Sequence, residues 1–416
     1  MSVEEIDTLV IGAGQAGIAA SEHLGQAGIP HLVLERARIA ERWRSERWDT
    51  LVTNGPVWHD RFPGLEFTKT HPEGFAPKEE VADYLVDYAK MISAPIRTGV
   101  EVQQISRRAA RSDFLVQTSA GNFHANNIIA ATGPFQKPVI PALVPESESL
   151  MQLHSASYRN SQLLPAGGVL VVGSGSSGTQ IAEDLTAAGR KVYLSVGPHG
   201  RPPRRYRGRD FVWWLGVLGK WDIAAPHPGT EHVTIAVSGY KGGHTIEFRE
   251  LAGTGIILLG RVERFEDGRL HFASDLSENI KKGDENYLAL LDEADEYVRK
   301  FGLDLPPEPE ARVFAPDPAC LLDPIVSLDL AREGISAIIW ATGYVQDYSW
   351  IKLDAFDDRG RPKHQRGVSI ESGLYFLGLP WQSRRGSSFL WGVWHDARHV
   401  SDIIKIQRAY RAYRPF

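Results

Sequence analysis

Two segments of this 416-residue chain combine residue types that can hold the pyrophosphate of a dinucleotide. In each, an apolar run is followed by three glycines with the spacing GxGxxG: Gly12, Gly14 and Gly17, then Gly173, Gly175 and Gly178. The first glycine permits a tight turn, the second lets the backbone approach the phosphates, and the third lets the helix pack on the strand. Two such segments predict that one chain binds two dinucleotides.

The elements around the first glycines fit a β–α–β unit. Residues 6–11 predict a buried strand, a helix follows from residue 15 to about residue 24, and residues 31–34 predict a second strand. The helix would point its free N–H groups and positive dipole end at the pyrophosphate. Glu35 ends the second strand, at the place where a carboxylate accepts hydrogen bonds from ribose hydroxyls.

The second unit differs at that place. Its helix is predicted to run to about residue 188 and its next strand spans residues 191–194, but Ser195 follows instead of an acid. A hydroxyl with arginines nearby suits a ribose 2′-phosphate, which favours NADPH over NADH, although a solvated basic loop would show the same composition. The arginines are Arg201, Arg204, Arg205, Arg207 and Arg209.

Each glycine unit is followed by one further strand that ends in Ala-Thr-Gly. The first runs into Ala131-Thr132-Gly133, and the second, over residues 335–340, runs into Ala341-Thr342-Gly343. Such an ending brings the backbone close to a cofactor. The internal duplication therefore extends beyond the glycine motifs.

Other segments allow more than one interpretation. Residues 53–64, rich in turn formers and aromatics, either cover a bound flavin ring or form a surface loop. The aromatic residues 211–215 either line an apolar substrate route or pack beneath the inserted region. His154 is interpreted as structural, and so is the pair His395 and Asp396, because adjacent helical positions do not face each other.

Three local predictions concern the second half of the chain. Residues 245–272 predict strands, with a hairpin at Asp267-Gly268, and residues 285–301 predict an amphipathic helix. Ser387 or Ser388 is expected to cap a last helix that runs toward residue 404.

Composition limits the class of protein. A net charge of −5 does not suggest a nucleic-acid partner, and the single cysteine, Cys320, allows neither an internal disulfide nor a CxxC redox pair. Metal ligation is not predicted. The longest apolar run, residues 211–219, is far shorter than the roughly 20 residues of a membrane span, and a cytoplasmic location is expected.

Taken together, these motifs resemble the flavin-containing monooxygenases, above all the bacterial single-FAD members. They recur in that family's order, with Trp43, the Asn54 loop, His154-Ser155 and Tyr158 between the two glycine motifs. The resemblance implies an α/β fold of two nested Rossmann-like domains in the three-layer arrangement of glutathione reductase. Residues 1–160 and 340–416 would form the FAD domain, and residues 161–339 the inserted NADPH domain, with a substrate-side insertion around 205–300.

The chain departs from the family pattern upstream of the histidine. Glu148 and Leu150 stand where the family signature has Phe and Gly. Tyr158-Arg159 stands where Baeyer–Villiger relatives have Trp-Pro, which argues against conversion of ketones to esters.

The resemblance also implies a function and a set of site residues. The expected activity is an NADPH- and FAD-dependent monooxygenation of an amine, sulfide or keto acid by dioxygen through a flavin C4a-hydroperoxide, with Asn54 near C4a. The alternatives are an NAD(P)H oxidase or reductase, and a non-catalytic FAD/NADPH-binding sensor; a homodimer is possible. The predicted cofactor-binding residues are Gly12, Gly14, Gln15, Ala16, Gly17, Glu35, Arg36, Trp43, Arg44, Thr53, His59, Thr132, Gly133, Gly173, Ser174, Gly175, Ser176, Ser177, Ser195, Arg204, Arg205, Thr342, Gly378 and Ser388.

Overall fold

A computed structural model describes residues 3–108, 113–225 and 235–414 of the chain. The helices of these residues are α1 Gln15–Gln26, α2 Glu41–Ser45, α3 Lys78–Met91, α4 Ser176–Ala187, α5 Phe211–Val217, α6 Phe248–Gly253, α7 Leu276–Phe301, α8 Ala319–Leu322 and α9 Val393–Ala412, with short 3₁₀ turns at Ser161–Leu163, Tyr240–Gly242 and Pro309–Arg312.

The strands belong to two main sheets and several small ones. They are β1 Val3–Ile11, β2 His31–Glu35, β3 Ile96–Thr98, β4 Val102–Arg107, β5 Phe114–Thr118, β6 Gly121–Ala130, β7 Lys137–Pro138, β8 Met151–His154, β9 Gly168–Val172, β10 Val192–Ser195, β11 Arg205–Tyr206, β12 Arg209–Asp210, β13 Ile257–Leu259, β14 Val262–Glu266, β15 Arg269–Phe272, β16 Ser327–Asp329, β17 Ile335–Trp340, β18 Tyr344–Val345, β19 Ile351–Lys352, β20 His364–Gln365, β21 Val368–Ser369 and β22 Leu374–Phe376.

The first sheet is built around β1. Strands β2 and β6 flank it in parallel, so that Ile11 pairs with Leu34 on one side and with Ala130 on the other. β5 and β22 share the far edge of β6, and β4 extends the sheet beyond β5. Leu9 and Val10 are fully buried, as expected for the central strand of a parallel sheet covered on both faces.

The second sheet repeats this plan around β9. Its strand order is β13-β10-β9-β17-β8, all parallel, and β14, β15 and β16 form an antiparallel sheet of their own. Strand β8 precedes the predicted domain boundary at residue 161 yet pairs with β17 of this sheet. The predicted α/β fold with two Rossmann-like units is confirmed.

Helix α9 packs against α1 on the face of the first sheet. Trp394 meets His23 edge-on at 4.5 Å between ring centroids, and Val393, Ala397 and Val400 are fully buried. Each large apolar side chain removed from water contributes about 1.5–3 kcal/mol. The carboxyl-terminal helix is therefore part of the core that carries the first glycine turn.

Local predictions in the second half of the chain had mixed outcomes. The hairpin is confirmed, because Asp267 and Gly268 both have positive φ (49° and 76°) between β14 and β15. The prediction of strands from residue 245 was wrong over α6, where the Glu247 side chain caps the helix by accepting from the Glu250 amide. The helix predicted from residue 285 begins earlier, at Leu276.

The predicted cap of the last helix was also wrong. Helix α9 starts at Val393 after Gly392, which has no side chain to cap it. The Ser387 hydroxyl instead accepts hydrogen bonds from the amides of Ser383 and Arg384, and so stabilises the preceding turn.

Candidate cofactor and active site

The first glycine turn is shaped by contact with the first Ala-Thr-Gly ending. Gly12 has a φ of +107°, and a Cβ there would lie 2.8 Å from the carbonyl oxygen of Ala131. A Cβ on Gly17 would lie only 1.8 Å from the Gly12 carbonyl oxygen, so α1 packs closely on the turn. The Cβ position of Gly14 has no atom within 4 Å. The turn is thus crowded on its protein side and open at Gly14.

This open side faces a cavity of about 470 Å³. Helix α1 begins there with Gly14 as its N-cap and has no side-chain cap, which leaves first-turn N–H groups for an anion. The predicted residues that line the cavity are Gly12, Gly14, Gln15, Ala16, Glu35, Arg36, Trp43, Thr132, Gly133, Gly378 and Ser388.

Glu35 both binds the glycine turn and lines the cavity. Its Oε2 accepts a hydrogen bond from the Ala13 amide at 2.8 Å, and its Oε1 accepts one from the Ala37 amide at 2.9 Å. A carboxylate oxygen can accept more than one hydrogen bond, so Glu35 can still accept from hydroxyls in the cavity. This donor and acceptor set, together with the open glycine turn, fits the ribose and pyrophosphate of FAD.

Arg42 also lines the cavity, although the sequence pointed to Arg44. The Nη1 atom of Arg42 is buried without a partner among the described residues, and burial lowers the pKa of this guanidinium. Arg44 instead pairs with Asp83 at 3.1 Å. The Arg42 Nε lies 3.7 Å from the Glu46 carboxylate, so Nη1 is the part of the guanidinium that is left to donate. A guanidinium N–H without a protein partner beside an open helix N-terminus fits a phosphate group. The motif around Trp43 was therefore informative, but the arginine next to Trp43 that lines the cavity is Arg42 and not Arg44.

Gln136 is another cavity residue that sequence reasoning missed. Its Nε2 donates to the Thr132 hydroxyl and to the Gly133 carbonyl, both at 2.9 Å. It thereby holds the first Ala-Thr-Gly ending at the cavity wall. The sequence offered one indication of this role: Gln136 follows the first Ala-Thr-Gly segment by three residues.

The second glycine turn has the same local geometry as the first. Gly173 has a φ of +115°, and a Cβ there would lie 2.5 Å from the Ala341 carbonyl oxygen, while one on Gly178 would lie 1.8 Å from the Gly173 carbonyl oxygen. Helix α4 begins after Gly175, again without a side-chain cap. The two glycine turns thus have the same backbone geometry, as expected if each binds a dinucleotide.

The surroundings of the second turn differ from those of the first. Ser176 donates from both its amide and its hydroxyl to the Ile235 carbonyl. The hydroxyls of Ser174, Ser195 and Thr342 donate to the carbonyls of Gly197, Gly260 and Val139 respectively. The hydroxyl groups around this turn therefore already donate to backbone carbonyls of the protein. Ser177 lies half-buried at the start of α4.

The arginines after Ser195 are not equivalent. Arg204 is only 2% exposed, pairs with Asp210, and lies over the rings of Phe75 and Phe211 at 4.7 and 4.5 Å. Burial lowers the pKa of Arg204. These contacts do not fit the predicted role of Arg204 as a ligand of the 2′-phosphate in this conformation.

Two other arginines of this set are engaged in the same way, since Arg201 pairs with Asp284 and Arg207 pairs with Asp295, both at 2.6 Å. Arg205 is exposed and lines a second, open cavity of about 370 Å³ with His71 and Lys241. Arg205 is therefore the predicted phosphate ligand that the structure leaves accessible.

Asn54 lies where the two units meet. Its Oδ1 accepts a hydrogen bond from Gln180 of α4 at 2.9 Å, and its backbone carbonyl accepts one from Arg204 at 2.6 Å. Thr53 is buried, and its hydroxyl donates to the Gly55 carbonyl and accepts from the Ala76 amide. Thr53 therefore shapes the loop, whereas Asn54 links it to the second unit.

His154 has the structural role that was predicted. Its Nε2 donates to the Gly343 carbonyl at 2.9 Å, and its Nδ1 accepts from the Ala156 amide at 3.1 Å. Burial lowers its pKa, which keeps the ring neutral as this bonding pattern requires. His154 thus anchors the second Ala-Thr-Gly ending.

Aromatic residues from three separate segments, the loop at residues 53–64, the region after α5 and the turn before α9, come together in one cluster. His59 stacks on Trp221 at 5.6 Å and lies 4.8 Å from Trp391, while Phe389 meets Trp221 at 5.4 Å. Trp58 and Trp391 each bury an indole N–H that has no partner among the described residues. The His59–Trp221–Phe389–Trp391 cluster adjoins the cavity through Ser388, whose carbonyl accepts from Gln15 at 2.8 Å.

A dinucleotide oxidoreductase with two nested binding units is the class that this fold and these turns define. The family described as pyridine nucleotide-disulphide oxidoreductase matches residues 9–207. Among curated proteins, the uncharacterized oxidoreductase CzcO-like of Geobacillus kaustophilus is 35% identical, with 96% of this chain and 98% of the relative covered. The probable indole-3-pyruvate monooxygenase YUCCA1 of Arabidopsis thaliana is 31% identical, with 95% and 89% covered.

Among solved structures, the flavin-containing monooxygenase from Stenotrophomonas maltophilia superposes with a TM-score of 0.66 at 20% identity, covering 99% of this chain and 100% of that one. The chain belongs to the flavin-containing monooxygenase family, together with the CzcO-like oxidoreductases. The predictions of enzyme class and cofactors are confirmed: it is a flavin-dependent monooxygenase with FAD and NADPH as cofactors. Within the described ranges, every helix is too short or too polar to cross a membrane.

Proposed function

We propose that this enzyme oxygenates a small organic substrate with dioxygen through a flavin C4a-hydroperoxide formed after reduction by NADPH. The observation that carries the proposal is the contact of Asn54 with Gln180. It brings the loop at residues 53–64 against the helix that begins at the second glycine turn. Transfer of a hydride between two dinucleotides needs such a meeting point.

The residues of the first unit would hold FAD. The glycine turn and the first turn of α1 offer N–H groups to the pyrophosphate, Arg42 offers its Nη1, and Glu35 accepts from ribose hydroxyls. Bound FAD supplies the redox and oxygen chemistry. The protein contributes position, hydrogen bonds and exclusion of water.

The residues of the second unit would hold NADPH. The turn at Gly173 to Ser177 offers the start of α4 to the pyrophosphate, and Ser195 leaves room where an acid would repel a 2′-phosphate. Arg205 is an exposed guanidinium that could bind that phosphate, and Arg209 of the same set is exposed as well. We retain NADPH as the preferred donor on this basis.

Disulfide reduction is the rival reaction for a chain with two dinucleotide sites. The chain has one cysteine, Cys320, which is free. A dithiol pair that would pass electrons to a disulfide is therefore absent from the sequence. The remaining rivals are an NAD(P)H oxidase and a nucleotide-binding sensor.

Arg385 bears on the class of substrate. Its guanidinium lies 6.0 Å from the Trp221 ring and has no ion pair within the described part of the chain, and burial lowers its pKa. A half-buried unpaired cation beside an aromatic cluster suits a substrate with an apolar body and an anionic group. Among the three candidate classes, this observation favours a keto acid over an amine.

Rapid mixing of the NADPH-reduced enzyme with dioxygen tests the proposal. We expect the absorbance of an oxygenated flavin to persist and then to decay faster when substrate is present, with one oxygen atom gained in the product mass. Immediate return of oxidised flavin with hydrogen peroxide would support an oxidase instead. Tight nucleotide binding without turnover would support a sensor.

A panel of amines, sulfides and keto acids then tests the substrate class. Replacing Arg385 with Gln should raise the KM of keto acids about tenfold or more and leave the KM of neutral sulfides nearly unchanged. An equal effect on both classes would contradict a role of Arg385 in substrate binding.

A further inference from the structure

The carboxamide of Gln180 makes two hydrogen bonds that together fix the orientation of Asn54. Its Nε2 donates to the Val237 carbonyl at 2.8 Å and to the Asn54 Oδ1 at 2.9 Å. Gln180 is buried, so these bonds are shielded from water. Both ends of this arrangement belong to segments that meet at the junction of the two units.

The direction of these bonds follows from chemistry. A backbone carbonyl can only accept, so the Gln180 amide must direct its nitrogen, and not its oxygen, at Val237. The second hydrogen of the same NH₂ group then reaches Asn54, which must present its oxygen. The usual ambiguity between the oxygen and nitrogen of an amide side chain is thereby removed for both residues.

The rest of Asn54 is held as well. Arg204 donates to its backbone carbonyl, and the preceding residue, Thr53, donates its amide to Ala76 at 2.9 Å. The Asn54 Nδ2 makes no hydrogen bond to residues 3–108, 113–225 or 235–414, and Asn54 is only half-buried. The side chain therefore keeps its two N–H donors available to a bound molecule.

We propose that Gln180 is a positioning residue that makes Asn54 a hydrogen-bond donor toward the cofactors. Because Gln180 lies on α4, one turn after the helix begins, the orientation of Asn54 is tied to the element that would receive NADPH. Loss of Gln180 frees the Asn54 amide to rotate and to offer its oxygen instead. This role rests on the proposed function for Asn54 and extends it to a second residue.

A double-mutant cycle on NADP⁺ affinity tests the proposal with the FAD-loaded enzyme and isothermal titration. Gln180→Leu and Asn54→Ala should each weaken NADP⁺ binding about three- to tenfold, the effect expected for one hydrogen bond. In the Asn54→Ala background, Gln180→Leu should cause no further loss. An equal loss in both backgrounds would overturn the proposal.

Two further variants separate positioning from folding. Gln180→Glu keeps the size of the side chain but cannot donate, so it should reproduce the loss of NADP⁺ affinity if the leucine variant fails to fold. Thr186→Val on the same helix removes a hydroxyl that donates to the Ala182 carbonyl within α4 and should leave NADP⁺ affinity unchanged. A matching loss in Thr186→Val would show that general weakening of α4 is responsible, and would overturn the proposal.

The same variants can be examined for the share of NADPH electrons that appears as hydrogen peroxide. We expect this share to rise in Gln180→Glu and not in Thr186→Val. If the wild-type enzyme yields only hydrogen peroxide and no oxygenated product, the monooxygenase mechanism fails. The binding cycle still decides the role of Gln180, because it does not depend on turnover.

Discussion

The carbonyl oxygen of Ile235 accepts hydrogen bonds from both the amide and the hydroxyl of Ser176, each 2.8 Å long. Ser176 is the first residue of α4, where the pyrophosphate of the second dinucleotide is expected. A protein acceptor thus takes the place of a phosphate oxygen in this conformation. In the first unit, the helix begins at Gln15, whose side chain donates to the Ser388 carbonyl, and its N-cap Gly14 lines the open cavity.

NADP⁺ binding should therefore displace Ile235 from Ser176. The Ala236 amide, which donates to the Gly200 carbonyl at 2.9 Å, should exchange its hydrogen faster in the complex because residues 235 and 236 are released, whereas the Val237 carbonyl keeps its hydrogen bond from Gln180. Hydrogen exchange with mass spectrometry measures this, with a peptide from α9 as the reference. Slower exchange at Ala236 with NADP⁺ bound would mean that the segment stays in place.

The two glycine turns offer a matched pair of substitutions. Gly12→Ala should abolish FAD retention, because its Cβ would meet the Ala131 carbonyl and its φ of +107° would cost roughly 1–3 kcal/mol. Gly173→Ala meets the Ala341 carbonyl in the same way but should spare FAD and abolish NADP⁺ binding. Flavin content of the purified variants and titration with NADP⁺ distinguish the two, and loss of FAD in both would contradict separate sites.

The structure and the sequence point to different arginines as the FAD ligand: Arg42 lines the cavity, whereas the sequence favoured Arg44. Arg42→Gln should weaken FAD binding by the apoprotein about tenfold or more, since it removes from the cavity a positive charge whose Nη1 has no partner among the described residues. Arg44→Gln breaks only a partly exposed pair with Asp83, so its effect on FAD affinity should be small. Quenching of flavin fluorescence during titration gives the dissociation constant of FAD for each variant. A larger loss of affinity in Arg44→Gln than in Arg42→Gln would support Arg44 as the ligand.

His23 should make the enzyme sensitive to mild acid. Burial lowers the pKa of His23 to about 4, against about 6.5 in the unfolded chain. Both states are neutral above pH 6.5, whereas between pH 6.5 and 4 the unfolded state binds the proton and gains stability. The free energy of unfolding should fall by about 2 kcal/mol over this window, allowing for partial exposure.

Urea unfolding of the wild type and of His23→Phe at pH 7 and pH 4.5 measures this loss. The phenyl ring can keep the contact with Trp394, so the variant should lose less stability on acidification. His71→Gln, at an exposed position, serves as the control and should behave like the wild type. An equal pH dependence in all three proteins would exclude His23 as the cause.

The glycine turns could be predicted because their geometry is set by neighbouring residues. Strand, turn and helix around Gly12 follow from local periodicity and from the backbone freedom of glycine, and Glu35 ends the next strand as the spacing indicated. The structure adds the Ala131 carbonyl as the partner that makes glycine obligatory at residue 12.

The arginines could not be assigned in the same way. The choice between Arg42 and Arg44 depends on how the short helix α2 is rotated against α3, which local sequence does not specify. Arg204 is buried because Asp210 and the Asn54 carbonyl pair with it, and the second of these contacts spans 150 residues. Composition identified a basic segment. It could not show which of its arginines form ion pairs inside the protein and which stay accessible to a ligand.

The hydrogen bond from Gln15 to the Ser388 carbonyl joins residues 373 positions apart in the chain. A ribosome makes the first glycine turn long before the wall of the cavity that contains Gly378 and Ser388. The cofactor cavity is therefore complete only after residue 388 has been translated. Capture of flavin should follow that step, and truncation before residue 378 should yield a chain with an intact glycine motif that does not retain the cofactor.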